Sequence, residues 1–501
     1  MVTQGVMRYS DISEKLSFSP SSYETVSITN NNCHKLHDLI SSDLKKGQEV
    51  GSDAYIHKSN RFFLRTKALQ AGSYLLDITQ ESSVPMIPQS FVDHKLRKGQ
   101  ILISKDSNIG EVAYLDRDYP AHMMSAGLMS FEIKNNPFYV LAMMKDPSFK
   151  KQLNSMVPTG TTIKHAKRIF LDCRIPFPNC RSTEMIKFIE ETTKAIIRRE
   201  VAIRANYRQI GDVFEGELFG SCKPKDFTHY MPRYSEINSD DLRLDTGIYE
   251  REYLRLISCI ESYANGSFKI PLARIKAGST PKNRRLNRGY KKWITPTIFG
   301  ELGFFTADER IHCTENNITR DCVIIKNRTL KEKLGRFVGT AVFYDFEKMH
   351  LGHHNQGCYR VEDYSSEDLK YIALVLNTQV YRKLCGYISL GSKMREIKMN
   401  QFAAIPFPNI GPKVQGVLVE YYYHDIDIPN NRIIHIERLE DFDLANINQF
   451  GILQLAGQMH FLQKLLSTAI KNIFDDKEPD VDLQQVNLLG GLEIKGKLNL
   501  D

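Results

Sequence analysis

Tryptophan occurs once in this chain of 501 residues, and none of its nine cysteines belongs to a Cys-x-x-Cys pair. An odd number of cysteines scattered over a long sequence fits neither a disulfide framework nor a zinc ribbon. The densest group of potential ligands is His350, His353, His354 and Cys358. Structural zinc sites pair two close ligands with two more elsewhere, so no metal site is expected there. Long apolar runs are also missing. Ile372-Ala373-Leu374-Val375-Leu376 falls far short of the roughly 18 to 20 residues that cross a bilayer, and no membrane association is expected. Met1 to Arg8 has no basic flank leading into an apolar core, so no secretory signal is read and a cytoplasmic location is expected. No Gly-x-x-x-x-Gly-Lys-Ser/Thr loop is present, which argues against nucleotide hydrolysis.

What is present is an ordinary globular balance, 42% hydrophobic and 25% charged, in a chain too long for one core. The net charge of +8 and pI near 8.8 favour an anionic partner. The excess is concentrated. Arg274, Lys276, Lys282, Arg284, Arg285, Arg288, Lys291 and Lys292 follow one another with no acidic residue between them. Gly278, Pro281 and Gly289 predict a loop, and Asn283, Asn287 and Tyr290 among the cations suit phosphates and base edges. Trp293, just beyond, is expected in the core.

The chain is written twice. Ile175-Pro176-Phe177-Pro178-Asn179 recurs as Ile405-Pro406-Phe407-Pro408-Asn409. Upstream, the block around Gly160 matches the block around Gly391, and Tyr139 to Met144 matches Tyr371 to Leu376. More loosely, Ile101 to Lys105 and Gly110 to Tyr114 match Val323 to Lys326 and Gly339 to Phe343. Blocks in constant order at so long a period indicate a duplicated domain rather than a solenoid. Each copy is strand-rich first and helical later, an α+β pattern.

After the first proline exit, Ile186, Ile189, Thr193, Ile196, Glu200, Ile203, Tyr207, Ile210 and Phe214 alternate at spacings of three and four, the seam of a long helix. Ile452, Leu455, Met459, Leu462, Leu466, Ala469 and Ile473 repeat that spacing in the second half. Two seams in one chain can bury each other. The stretch after Asn409 is not expected to go straight into a helix, since Tyr421 to Glu440 holds Pro429 and extended-looking segments; the second spacer is expected to start late or to include an inserted strand pair.

This layout resembles the specificity subunit of type I restriction-modification systems, from about Lys35 to Glu478. The residues that carry the resemblance are Leu96-Arg97-Lys98-Gly99 leading into a strand, Gly278 to Lys282, the Gly-x-x-Ile/Met blocks and the two Ile-Pro-Phe-Pro exits. The resemblance implies two duplicated α/β target recognition domains in a pseudo-twofold arrangement, separated by an antiparallel coiled-coil pair of long helices. Domains are expected at 1–179 (first recognition domain), 180–221 (first spacer helix), 222–409 (second recognition domain) and 410–501 (second spacer helix with an insertion and an acidic tail). It also implies a non-catalytic subunit that reads a split duplex DNA target. Adenine methyltransferase subunits and restriction/translocase subunits would then hold the S-adenosylmethionine, ATP and Mg, leaving no cofactor in this chain. From Thr183 to Leu218 the spacer would be about 50 Å long, which suits half-sites about one DNA turn apart.

Candidate DNA-binding residues are the basic and amide side chains of the recognition loops. In the first copy they are Lys58, Asn60, Arg61, Arg65, Lys105, Asn108, Lys164, Lys167 and Arg168; in the second, Lys282, Asn283, Arg284, Arg285, Arg288, Lys291, Lys292, Arg336, Lys393 and Arg395. Two enzyme readings compete. Asn136-Pro137-Phe138-Tyr139 is close to the Asn-Pro-Pro-Tyr turn of adenine methyltransferases, but no glycine-rich loop precedes it, so a helix start is expected. Pro479-Asp480 with Glu493-Ile494-Lys495 has a nuclease-like spacing, in a polar tail rather than on a strand. A DNA-binding recruitment module of a related phage-defence system, or an unrecognised nuclease or methyltransferase, are the alternatives.

Overall fold

The computed structural model describes residues 28–79, 81–157, 166–223, 246–282, 284–286, 291–300, 303, 311–330, 337–391, 394–426 and 433–488. The chain forms two units. The first comprises Met1–Val201, Pro429–Ile447 and Gln458–Leu488; the second comprises Ala202–Ile428, Asn448–Gly457 and Leu489–Asp501.

In the first unit the aliphatic run Ile101–Ser104 becomes a strand buried at every position, as a short β-branched run should. With β1 at Cys33–Lys35, β2 at Lys45–Lys46, β3 at Phe62–Leu64 and β4 at Ser83–Pro85, this run is β5. Val112–Tyr114 (β6), His122–Met124 (β7), Leu128–Phe131 (β8) and Arg174–Pro176 (β9) follow. One sheet has the order β2-β8-β5-β6, a second β4-β3-β7, and β1 pairs with β9. Helix α1 (Pro137–Lys145) begins as the Asn-Pro pair predicts, with Asn136 at φ 50° and Pro137 in the first turn. Helix α2 (Pro147–Met156) is capped by the Asp146 carboxylate, which accepts from the Ser148 N–H at 2.8 Å.

The second unit repeats this plan. Its strands are β10 (Ser267–Lys269), β11 (Ile275–Ala277), β12 (Arg284–Leu286), β13 (Lys291–Ile294), β14 (Ile311–Cys313), β15 (Cys322–Lys326), β16 (Arg328–Leu330), β17 (Ala341–Tyr344), β18 (Gly352–His354), β19 (Cys358–Val361), β20 (Met394–Glu396) and β21 (Pro406–Pro408). The order β11-β19-β15-β17 matches β2-β8-β5-β6 strand for strand, and β10 pairs with β21 as β1 does with β9. Register agrees to the residue: Ile101 opposes Tyr114 where Val323 opposes Phe343. Gly110 and Gly339, at φ 80° and 86°, make the same left-handed turn into the third strand of the alignment. The duplicated-domain expectation therefore holds at the level of hydrogen bonds.

Three readings need correction. The identical pentapeptides are not equivalent in register. Pro176 opposes Cys33 in β1 whereas Pro408 opposes Ser267 in β10, and the Tyr139 and Tyr371 hydroxyls donate to the carbonyls of Pro176 and Pro408, not Pro406. The motif has slid by two residues, which keeps each side chain on its original face of the strand. The basic segment from Arg274 to Lys292 is not a loop throughout: it contains β11, β12 and the start of β13. Cysteine scatter also misled, because Cys222 is disulfide-bonded to Cys259, 5.1 Å apart at Cα. A single staple between a helix end and a neighbouring helix leaves no spacing signature.

Helix α3 runs over 40 residues, Ser182–Ser221, of which Ser182–Val201 lie in the first unit and Ala202–Ser221 in the second. Helices α4 (Arg251–Glu261), α5 (Ser366–Leu376) and α6 (Gln379–Ile388) belong to the second unit. After Asn409 the chain enters helix α7 (Pro412–Tyr423) at once, where no helix is expected, with Pro412 in its first turn, where a proline is tolerated; the second seam helix does start late, at Ile452, after a short strand Ile434–His435 that pairs with Gln485–Val486. Helix α8 (Leu439–Asn446) and the 23-residue α9 (Ile452–Phe474) are the last of the helices of eight or more residues among the described residues.

Of the seam residues, Ile189, Thr193, Ile196, Glu200, Ile203, Ile210 and Phe214 are buried on α3, and Ile452, Leu455, Leu462, Leu466, Ala469 and Ile473 on α9. Ile186, Tyr207 and Met459 are only half-buried. In the first unit α3 is covered on two sides rather than along one stripe. Glu190 accepts from the Phe138 N–H of α1 at 3.2 Å, and Arg199 Nε donates to Gln458 of α9 at 3.0 Å. Met185, Phe188 and Ala195 are therefore buried too. Gln458, which receives that bond, takes the inward place that periodicity gave to Met459. Asn30 caps the far end of α9, donating to the Ile473 carbonyl at 2.9 Å.

Candidate nucleic-acid interface

In the first unit, β3 is bracketed by two half-buried arginines. The Arg61 guanidinium lies 4.4 Å from the centre of the Phe91 ring and donates from Nη1 to the Pro120 carbonyl at 3.0 Å. Arg65 lies 4.9 Å from the Tyr55 ring centre. Stacking of this kind holds a planar cation without neutralising it, so its charge remains for an anion. Lys58 and Asn60 are exposed just before β3. Lys167 and Arg168 are exposed too, and the Ala166 N–H ties their segment to the Lys105 carbonyl at the end of β5. Arg168 shares an open groove with Lys35, His37, Asp38 and Asp172, where Lys35 and Asp172 pair at 2.9 Å.

Two candidates are committed to the protein. Lys105 pairs with Asp106 at 2.8 Å, both side chains largely covered. Asn108 donates its amide to the Leu69 carbonyl at 3.1 Å, holding the β5–β6 turn against the segment after β3. Lys164 lies outside the described residues.

In the second unit, Lys282 is exposed, and its N–H donates to Glu315 at 2.8 Å. Arg284 and Arg285 sit in β12, the edge strand of the sheet β12-β14-β13-β18, where Arg284 opposes Cys313 and Arg285 opposes His312. Lys291 stands in β13 opposite Cys313. Lys292 is half-buried, and burial pushes its ammonium down to about 8. Arg395 Nη1 donates to the Gly386 carbonyl at 2.8 Å, closing the end of α6, so this cation too is engaged within the protein. Asn283, Arg288, Arg336 and Lys393 lie outside the described residues.

The duplication exposes pairs that composition does not. Gly47 and Gly278 follow β2 and β11, and an added Cβ would lie 2.0 Å from the Ser125 and Asn355 carbonyl oxygens respectively. Counting back two residues from each gives Lys45 and Lys276, both exposed at a sheet edge. Lys45 escaped the sequence reading, and Lys276 entered it only as a member of the basic segment; the signal was a lysine two places before an equivalent glycine. Likewise the parallel ladders Phe62–His122 and Lys292–Gly352 align β3 with β13, so that Arg61 and Lys291 hold equivalent places.

His353 and His354 are packed within the second unit. His353 Nε2 lies 3.0 Å from the Ser279 carbonyl, and His354 Nδ1 lies 2.8 Å from the Asn317 Oδ1. Trp293 is buried, as expected. Among the described residues no group of three or more His, Cys, Asp or Glu side chains is placed to hold a metal ion, and no helix is long and apolar enough to cross a membrane. Exposed and stacked cations of this kind are suited to phosphate contacts and base edges.

No protein-family model and no curated protein matches the sequence. Among solved structures the chain is similar to the S subunit of a type I restriction-modification system from M. genitalium, at 14% identity and a TM-score of 0.40 over 91% of this chain and 98% of that one. It is also similar to the HsdS subunit from Thermoanaerobacter tengcongensis, at 12% identity and 0.26 over 91% and 99%. A chain from a structure described as showing complex assembly and conformational transition of the type I R-M system matches at 12% identity and 0.27 over 90% and 99%.

Proposed function

We propose that this protein is a non-catalytic DNA specificity subunit that reads a bipartite duplex target and presents it to adenine-methylating and DNA-translocating partner subunits in the cytoplasm. The observation that carries the reading is the repeated sheet, β2-β8-β5-β6 in one unit and β11-β19-β15-β17 in the other, with a long helix following the first copy. Two copies of one reader suit two half-targets. A long helix following the first copy suits a spacer, because an α-helix is stiff over tens of ångströms. The exposed cations Lys58, Lys167, Arg168 and Lys282, with the stacked Arg61 and Arg65, would grip phosphates, and Asn60 would address a base edge. S-adenosylmethionine, ATP and Mg would be held by the partners.

Long-read sequencing of methylated adenines in cells that express the chain with its neighbouring genes tests the reading. A split motif with a constant gap is expected, lost when the chain is deleted. Plasmid cleavage or methyl transfer by the purified chain alone would refute it in favour of an enzyme.

A further inference from the structure

The seam of α3 is nearly degenerate along its own axis. Ile189, Ile196, Ile203 and Ile210 recur every seventh residue, and so do Ile452, Met459, Leu466 and Ile473 on α9. Sliding one helix by a heptad, about 10 Å, would set apolar side chains on apolar side chains again. Hydrophobic burial has no direction and does not distinguish these registers.

A polar cluster does. Arg199 is fully buried, the largest such side chain in the described chain, and every arm of its guanidinium is used: Nε donates to Gln458 Oε1 at 3.0 Å, Nη1 to the Ala195 carbonyl at 3.1 Å and to Asp443 Oδ2 at 2.9 Å, and Nη2 to Asp443 Oδ1 at 2.8 Å. Asp443, also fully buried, accepts a further bond from Arg198 Nε at 2.8 Å. All of these residues lie in the first unit. We infer that Arg199 on α3, Asp443 on α8 and Gln458 on α9 are positioning residues that select one register of α3 against α8 and α9, a role beyond the reading of DNA proposed above. Because α3 and α9 run antiparallel, a slip of one heptad would bring Asp443 opposite Thr192 in one direction, or Arg199 opposite Leu465 in the other. Each charge would then be buried without its partner, a penalty on the order of a hundredfold or more in population. The apolar seam supplies the adhesion, and the ion pair supplies the position.

Zero-length carbodiimide cross-linking of the full chain tests the inference without DNA, so its failure is separable from failure of the functional reading. Lys187 and Glu437 form an ion pair alongside the cluster and report its register. Wild-type protein is expected to give the Lys187–Glu437 product as the dominant cross-link between these segments. Arg199→Met with Asp443→Leu and Gln458→Leu is expected to unfold cooperatively still, but with that product reduced at least twofold and displaced products appearing. Moving the arginine by one heptad, Thr192→Arg with Arg199→Thr, is expected to carry the register with it. A single native product in both variants would overturn the inference. So would loss of cooperative unfolding in the apolar triple variant, since the seam alone is held to suffice for packing.

Discussion

At the scale of single residues, the clearest consequence of burial falls on His354. Its ring is enclosed in the second unit and its imidazole is pushed down to about 4, by burial first and then by the Arg360 guanidinium. The folded state therefore holds the ring neutral while the unfolded chain protonates it near 6.5. Between these values the unfolded state binds more protons, so stability rises with pH in this window. The contribution is fully present above about 6.5 and is lost as pH falls through 4, up to roughly 2–3 kcal/mol. Urea unfolding of the second unit, followed by hydrogen exchange in β18 and β19 from pH 7 to pH 4.5, is expected to show this loss. His354→Asn keeps a donor for the Asn317 side chain and is expected to flatten the dependence. An unchanged slope in the variant would assign the acid sensitivity to other groups, of which His122 in the first unit, also pushed down to about 4 by burial, is the foremost.

At the scale of elements, the two glycines after β2 and β11 are the tightest joints of the sheets. A methyl group at Gly47 or Gly278 would meet the backbone oxygen of Ser125 or Asn355 at 2.0 Å, and backbone cannot swing aside as a side chain can. Gly47→Ala and Gly278→Ala are each expected to destabilise their own unit by roughly 2–4 kcal/mol. Gly216→Ala is the control: it lies within α3 with nothing within 4 Å of its new methyl group and is expected to stabilise the helix by about 0.5–1 kcal/mol. Thermal unfolding of the three variants checks the contrast. The same elements mark how far the sequence was legible. Strands β5 and β15, helix α1 and the long α3 followed from local pattern, because short aliphatic runs, an Asn-Pro start and a three-four spacing each admit few structures. Helix α7 did not, because its tyrosines and the later Pro429 resemble an extended segment and only docking on its own unit makes them helical. Nor was the Arg199–Asp443 pair visible, since a buried cation in a seam becomes plausible only once a carboxylate from 244 residues away is seen beside it. Surface candidates such as Lys105, Asn108 and Arg395 were taken for their chemistry alone, whereas their use is decided by neighbours that only the fold brings close.

At the scale of the whole molecule, duplication makes a prediction that a single-site binder does not share. If both units grip phosphates, removing cations from one should lower the salt dependence of binding without abolishing the contribution of the other. Each phosphate contact with duplex DNA adds about 0.9 to the slope of log K against log salt. Lys282→Ala with Arg284→Ala and Arg285→Ala is therefore expected to lower that slope by up to about 3, and Lys58→Ala with Arg61→Ala and Arg65→Ala by a similar amount. With both sets combined, the reductions are expected to add, because the two sets lie on or beside separate sheets. Fluorescence anisotropy with duplexes of matched length over a salt series measures all four slopes. One set carrying the entire effect would mean that only one of the two units touches DNA, and the second copy would then need a different ligand to explain why its sheet kept the same strand order and register.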